Sequence, residues 1–209
     1  IIFRQPPASM SDWVLFLKAG WDHMSKRVYY GSRWVFNRWT QIRKMKPPEN
    51  LTTWGWKEPH TIFFLPNIQK YYKNARYILV LRHGLDMAYT KTVQQMVLWG
   101  TRYQIDGSDL SPKNKFDYWY RSNQATINLV KEHYPEKFLV LKLEDLWLEK
   151  DEKIKKLLSF AGLESSNAPA EIWNIPRLPT SSGRYREQDT SWVDSGVQRK
   201  LAELGYENP

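Results

Sequence analysis

The sequence ARYILVLRHGLDMAYT, residues 75–90, decides the fold. Its first half is a short block of aromatic, β-branched and leucine side chains, which is typical of a strand buried on both faces of a sheet. A second block of this kind, KFLVLKL, spans residues 137–143. We predict buried parallel strands at these two blocks, and a shorter third strand over residues 51–57.

Helical patterns alternate with these strands. They cover residues 11–46, 61–72, 85–98, 114–134 and 150–160, and Pro47 and Pro48 end the first of them. The clearest pattern, 114–134, places a largely apolar set on one helical face: Phe116, Tyr120, Asn123, Ile127, Val130 and Tyr134. Strand and helix in alternation predict an α/β fold, with a central parallel sheet flanked by helices.

Composition sets the class of protein and of partner. The 209 residues are 42% apolar and carry a net charge of +9, which suits one globular domain with an anionic partner. Charge alone leaves open whether that partner is a nucleotide, a phosphate, an acidic glycan or a nucleic acid. The chain has no cysteine, and its four histidines show no metal-ligand spacing, so we expect no metal site.

The same sequence argues against a membrane protein. No run approaches the roughly 20 apolar residues that cross a bilayer, and the first residues lack a basic segment before an apolar one. We therefore expect a cytoplasmic protein with no membrane partner.

Ligands of open α/β sheets bind beyond the carboxyl ends of the strands, where helix N-termini present unpaired N–H groups to anions. The residues that follow the predicted strands are KEPH (57–60), RHG (82–84) and ED (144–145). The first two begin with a cation, which predicts a phosphate or sulfate site. We expect the third, Glu144 and Asp145, to cap the next helix instead.

The segment WGWKEPH (54–60), followed by a helix and by residues 75–90, resembles the sulfotransferase family in order and spacing. The resemblance extends over about residues 50–206, through LED (143–145), LLSFAGL (157–163) and SGRYR (182–186). It implies a P-loop-NTPase-like three-layer fold. It also implies 3′-phosphoadenosine-5′-phosphosulfate as the sulfuryl donor, and a small-molecule or glycan acceptor with a hydroxyl or amine.

Site residues follow from this resemblance by position. Arg82 and Thr90 match the residues that hold the 3′-phosphate of the donor, and Gly183 and Arg184 match a late glycine-arginine loop that adds a second cation. Lys57 matches the lysine that stabilises charge on the leaving phosphate. Arg186 is a weaker candidate of the same loop. We place Thr90 about a turn and a half into the helix after Arg82, so that its hydroxyl and the guanidinium meet on one phosphate.

The general base is not defined by the pattern. Glu58, His60 and His23 are candidates, of which we favour His60 and Glu58. The loop that grips the 5′-phosphosulfate in the family has no counterpart here, since no G-x-x-x-x-G-K-[ST] pattern occurs. We expect residues 1–209 to be a single sulfotransferase-like domain that is truncated at its N-terminus.

Three other interpretations stand beside this one. Arg82 can simply pair with Asp86, and the net charge of +9 with the Trp- and Arg-rich residues 13–43 also suits a non-catalytic binder of anionic glycan or nucleic acid. Nucleic acid is less favoured, because these aromatics recur at helical spacing and suit a core or a pocket wall. A nucleotide kinase is weaker again, as the phosphate loop of that class is missing.

Overall fold

A computed structural model describes residues 72–206 of the chain, together with Ile2–Phe3, Trp54–Gly55 and residues 57, 61, 62, 65, 68 and 69. The chain forms two compact units, one of residues 1–57 and 72–75, the other of residues 58–71 and 76–209. In the first unit, strands β1 (Ile2–Phe3) and β2 (Trp54–Gly55) pair antiparallel. Of the third predicted strand, residues 51–57, the described Trp54 and Gly55 form a strand and Lys57 does not, and the partner strand runs antiparallel. The predicted helix at 11–46 lies outside the described residues.

The second unit contains the predicted parallel pair. Strand β3 (Tyr77–Leu81) lies beside β4 (Phe138–Lys142), with Tyr77 opposite Phe138 and Leu81 opposite Lys142. The N–H of Leu143 donates to the carbonyl of Leu81 at 2.7 Å and extends the ladder by one residue. Both predicted strands are therefore confirmed, and the residues that follow them lie at the same edge of the sheet.

Six α-helices of this unit are described over their whole length: α1 (Gly84–Ala88), α2 (Gln94–Trp99), α3 (Pro112–His133), α4 (Asp145–Leu148), α5 (Lys150–Ala161) and α6 (Ser195–Glu203). The predicted helices 114–134 and 150–160 are confirmed as α3 and α5. Of the predicted helix 61–72, residues 61 and 62 form a 3₁₀ turn and residues 65, 68 and 69 are helical. No helix in the described part of the chain is long and apolar enough to cross a membrane.

The predicted helix 85–98 is wrong in one respect, because it is two helices with a break at residues 89–93. Thr90, Thr92 and Val93 are β-branched and disfavour helix at the break. The hydroxyl of Thr90 also accepts the N–H of Thr92 at 3.2 Å, so a side chain satisfies a backbone donor that would otherwise continue the helix.

The core of the unit joins the end of β3 to α1, α3 and α6. Its fully or nearly fully buried members include Leu81, Leu85, Phe116, Trp119, Val197 and Leu201. The predicted face of α3 is partly right, since Phe116, Ile127 and Val130 are buried, but Trp119, Ser122 and Thr126 complete it in place of the other three. Helix α3 begins at Pro112 after the cap Ser111, whose hydroxyl accepts the N–H of Asn114.

Gly84 sets the distance between α1 and α3. A Cβ at this position would lie 2.5 Å from the ring of Trp119 and 2.8 Å from that of Phe116, both of them on α3. Only a residue without a side chain permits this approach. The glycine therefore brings the first turn of α1, directly after Arg82, against the longest helix of the unit.

Candidate functional site

Arg82 follows β3 directly, and its guanidinium contacts the loop of residues 181–187. Its Nη2 donates to the carbonyl oxygen of Ser181 at 2.5 Å and to the Ser181 hydroxyl at 2.9 Å. The same Nη2 lies 3.4 Å from Oδ2 of Asp86, which is the ion pair that the alternative interpretation of Arg82 predicts. Its side chain is 20% exposed and that of Asp86 1%. The pair with Asp86 is thus present but long, and the shorter bonds of Arg82 go to the loop.

Arg184 meets Arg82 on the same acceptor. Its Nε donates to the carbonyl oxygen of Ser181 at 3.1 Å, and its Nη1 donates to the carbonyl of Tyr89 at 3.4 Å. Two guanidinium groups that share one neutral carbonyl repel each other, and an anion with several acceptor oxygens relieves this repulsion. The structure therefore brings two of the predicted donor-binding cations together.

Gly183 fixes the backbone of this loop. Its φ of 77° and ψ of 10° lie in the left-handed region, which favours glycine, and a 3₁₀ turn (Arg184–Glu187) follows it. Its N–H donates to Oδ2 of Asp86 at 3.0 Å. The predicted residue Gly183 thus lies at the site, and it contributes its backbone N–H rather than a side chain.

Thr90 lies beyond the end of α1, and the predicted position within a helix is wrong. Helix α1 ends at Ala88, because the chain turns away at the β-branched residues described above. The Thr90 hydroxyl accepts from Thr92, and its carbonyl oxygen accepts from Nζ of Lys115 at 3.2 Å. Arg184 binds the carbonyl just before it, so Thr90 adjoins the two-arginine cluster.

Lys115 is a cation of this region that the sequence analysis missed. It lies near the N-terminus of α3, where the helix dipole disfavours positive charge. The signal was available, since Lys113 and Lys115 both stand near the start of α3, where acidic residues are the usual choice.

Three buried polar atoms at the site have no hydrogen-bond partner in the described structure. They are Nε of Arg82, Oδ1 of Asp86 and the hydroxyl of Ser182. Unsatisfied buried polar atoms are costly, at about 1–3 kcal/mol each, and are uncommon in folded proteins. Two of the three, Nε of Arg82 and the Ser182 hydroxyl, can donate a hydrogen bond, which fits a site that receives an anion.

Glu144 ties the two strand ends and the C-terminal segment together. One carboxylate oxygen accepts the N–H of His83 at 2.8 Å, and the other accepts the hydroxyl of Tyr206 at 3.1 Å. The expected cap on α4 is absent, because the carboxylate instead satisfies the donor left at the end of β3. Glu144 thus has a structural role beside the cations.

The ring of His83 is enclosed between two tyrosines. It stacks on Tyr185 with centroids 5.0 Å apart and meets Tyr206 edge-on at 4.9 Å, while Nδ1 accepts the N–H of Leu85. Burial lowers the pKa of His83, and the nearby carboxylates of Asp86 and Glu144 oppose this with smaller effects. His83 is therefore a packed residue next to Arg82, and its burial favours the neutral ring.

The remaining candidates are Lys57, Glu58, His60, His23 and Arg186. Lys57 belongs to the first unit and is exposed, and Glu58, His60 and His23 lie outside the described residues. Arg186 is exposed, with its guanidinium 5.8 Å from the centre of the Tyr185 ring. Within the described ranges no group of three or more His, Asp or Glu side chains is arranged to hold a metal ion.

Comparison with known proteins identifies the family. A sulfotransferase family model matches residues 10–167, three quarters of the chain, and the chain belongs to this family. The match includes Arg82, Thr90 and Lys115, and it ends before the loop that carries Gly183 and Arg184. No curated protein sequence matches the chain.

A solved structure supports the fold. The sulfotransferase domain from the curacin biosynthetic pathway is similar, with a TM-score of 0.50 and 16% sequence identity, over 73% of this chain and 62% of that one. The chain thus spans less than two thirds of that domain. The predicted P-loop-NTPase-like α/β fold is confirmed.

Proposed function

We propose that the protein transfers a sulfuryl group from 3′-phosphoadenosine-5′-phosphosulfate to a hydroxyl or amine of a small-molecule or glycan acceptor. The observation that carries the proposal is the meeting of Arg82 and Arg184 on one carbonyl oxygen at the end of β3. Family membership supports the class of reaction, and the position beyond a parallel strand is where α/β folds bind anionic ligands.

The cations of this cluster suit the 3′-phosphate of such a donor. Arg82 and Arg184 present planar donors that match phosphate oxygens, and Gly183 lets the loop backbone lie close to them. Thr90 offers a hydroxyl beside the carbonyl that Arg184 contacts. A phosphate also offers acceptors to Nε of Arg82 and to the Ser182 hydroxyl, which lack them in this structure.

When bound, the donor supplies the activated sulfuryl group. We assign to Lys57 the stabilisation of negative charge on the phosphate oxygen that leaves. His60 and Glu58 are the proposed bases, either of which would take the proton of the acceptor's hydroxyl or amine. These three residues precede the cation cluster in the chain. Their proposed roles concern the 5′-phosphosulfate part of the donor, whereas the cluster binds its 3′-phosphate.

Calorimetric titration with adenosine 3′,5′-bisphosphate tests the proposal. We expect micromolar binding by the whole chain, lost in Arg82→Ala and Arg184→Ala but retained in Arg199→Ala, which removes an exposed arginine of α6. Adenosine 5′-monophosphate, which has no 3′-phosphate, should bind more weakly and respond little to Arg82→Ala. Equal affinities in all four proteins would contradict the proposed site.

A non-catalytic binder of anionic glycan or nucleic acid is the second candidate, and the net charge of +9 favours it. Its affinity would fall steeply with salt and would vary little among polyanions. Titration with a heparin oligosaccharide and with single-stranded DNA at two salt concentrations separates the candidates. Tight, strongly salt-dependent binding of both polymers, without bisphosphate binding, would favour the second.

A further inference from the structure

Asp86 is a buried carboxylate that joins two distant segments of the chain. It lies on α1, one turn after Arg82, and its side chain is 1% exposed. One oxygen, Oδ2, accepts the N–H of Gly183 at 3.0 Å and lies 3.4 Å from Nη2 of Arg82. The other oxygen, Oδ1, has no partner among the described residues.

If the cluster served only to attract an anion, a carboxylate at this position would be unfavourable. A negative charge beside Arg82 lowers the electrostatic attraction of the site for phosphate. Burial of a carboxylate with one unsatisfied oxygen adds a further cost in free energy. Its contacts give a reason for it, since the carboxylate contacts both the guanidinium that follows β3 and a backbone N–H of the loop.

The geometry points to Asp86 as a positioning residue that holds the loop of residues 181–187 over Arg82 and so couples the docked position of this loop to binding of the 3′-phosphate. The coupling rests on the proposed function, whereas the hold on the loop does not. Arg184 reaches the cluster only because the loop is docked, and the bond from Gly183 to Asp86 lies directly before Arg184 in the loop.

Removal of the carboxylate separates positioning from charge. In Asp86→Ala, the N–H of Gly183 loses its acceptor and Arg82 loses its counterion, so the loop carrying Arg184 is released. Charge alone predicts tighter phosphate binding in this variant, because a negative group has gone. Positioning predicts weaker binding, because the second cation is no longer held in place. The two explanations therefore differ in the sign of the effect.

The experiment measures affinity and loop exchange in the same proteins. Affinities for adenosine 3′,5′-bisphosphate and adenosine 5′-monophosphate are determined by calorimetry, and amide hydrogen exchange of residues 181–187 is followed without nucleotide, with α5 as an internal reference. We expect Asp86→Ala to weaken bisphosphate binding roughly tenfold or more, to leave the monophosphate nearly unchanged, and to speed exchange in the loop.

Two further variants complete the set. Asp86→Asn keeps an oxygen for the N–H of Gly183 but loses the charge, so its affinity should lie between those of the wild type and Asp86→Ala. Asp117→Ala removes a carboxylate that pairs with Lys200 on α6, and serves as the control for net charge. It should bind the bisphosphate as the wild type does.

Tighter or equal bisphosphate binding in Asp86→Ala, with unchanged loop exchange, would overturn the inference. If Asp86→Ala does not fold, the same two measurements on Asp86→Asn, bisphosphate affinity and loop exchange, decide between the explanations. If the wild type binds no bisphosphate, the proposed function fails, and faster exchange of residues 181–187 in either variant would still show that Asp86 holds the loop. Unchanged exchange in that case would overturn both.

Discussion

Arg82 and Arg184 donate hydrogen bonds to the same carbonyl oxygen, that of Ser181, although one follows β3 and the other lies in a loop near the C-terminal helix. Neither bond depends on the identity of the Ser181 side chain. The cluster therefore depends on where the backbone of this loop lies, and it is sensitive both to its cations and to the framework that positions them.

Arg184→Lys tests whether the planar guanidinium matters beyond its charge. Arg184 bridges the carbonyls of Ser181 and Tyr89 through different nitrogens, which the single ammonium of lysine does not reproduce. We expect bisphosphate affinity to fall about three- to tenfold, as in the loss of one ordinary hydrogen bond. Calorimetry measures this, and Arg199→Lys is the matched control. Full affinity in Arg184→Lys would show that charge alone suffices.

Lys115→Gln tests the third cation. Its Nζ donates to the carbonyl of Thr90, so its loss should loosen that segment and lower bisphosphate affinity by a few-fold. The salt dependence of binding should also decrease. Lys113→Gln is the control, because Lys113 lies near the same helix start but pairs with Asp194 at the surface, 57% exposed. If both variants bind alike, Lys115 does not contribute.

The lowered pKa of His83 leads us to expect that the stability of the protein depends on pH. Burial lowers its pKa in the folded state, so the unfolded chain binds more protons below about the ordinary histidine value of 6.5. The contribution to stability is present above that pH and is lost as the pH falls below it. Urea unfolding at pH 7.5 and 5.5 measures the difference.

His83→Asn is the comparison for this titration, since asparagine also caps the first turn of α1 but does not titrate. The variant should lose less stability than the wild type between pH 7.5 and 5.5. His133→Asn, at an exposed histidine of α3, should retain the wild-type dependence. A wild-type dependence in His83→Asn would assign the titration to another group.

Gly84→Ala tests the packing that positions α1. The added Cβ would lie 2.5 Å from the ring of Trp119, so the helices must separate, at a cost of about 1–3 kcal/mol in free energy of unfolding. Urea unfolding measures this loss. Adding Trp119→Leu should recover part of the cost, which a double-mutant cycle reveals. Additive effects would show that the ring does not cause the clash.

Much of the framework was predictable, because hydrophobic blocks and helical spacing report burial directly. The two parallel strands, helices α3 and α5, and the position of Arg82 at a strand end all follow from such patterns. The break after α1 did not follow, because apolar spacing continues through residues 89–93 while the backbone there is governed by β-branching and by the Thr90 hydroxyl.

The details of the site were less predictable, because they depend on contacts between segments far apart in the sequence. Resemblance placed Arg82, Gly183 and Arg184 in one site, and the structure brings them together. It gave no sign that Asp86 binds the loop backbone or that Lys115 reaches Thr90. Glu144 was interpreted from its nearest helix, whereas its bonds go to His83 and Tyr206.

The acceptors and donors that hold the loop of residues 181–187 are largely main-chain atoms: the carbonyls of Ser181 and Tyr89 and the N–H of Gly183. Point substitutions at Ser181 and Tyr89 leave these atoms in place, whereas an insertion or deletion between Ser181 and Arg184 displaces them. Divergent relatives of this chain should therefore retain the length of this segment and a residue with left-handed backbone conformation at the position of Gly183, even where few other residues are identical. A search by spacing would find them where a search by sequence identity does not.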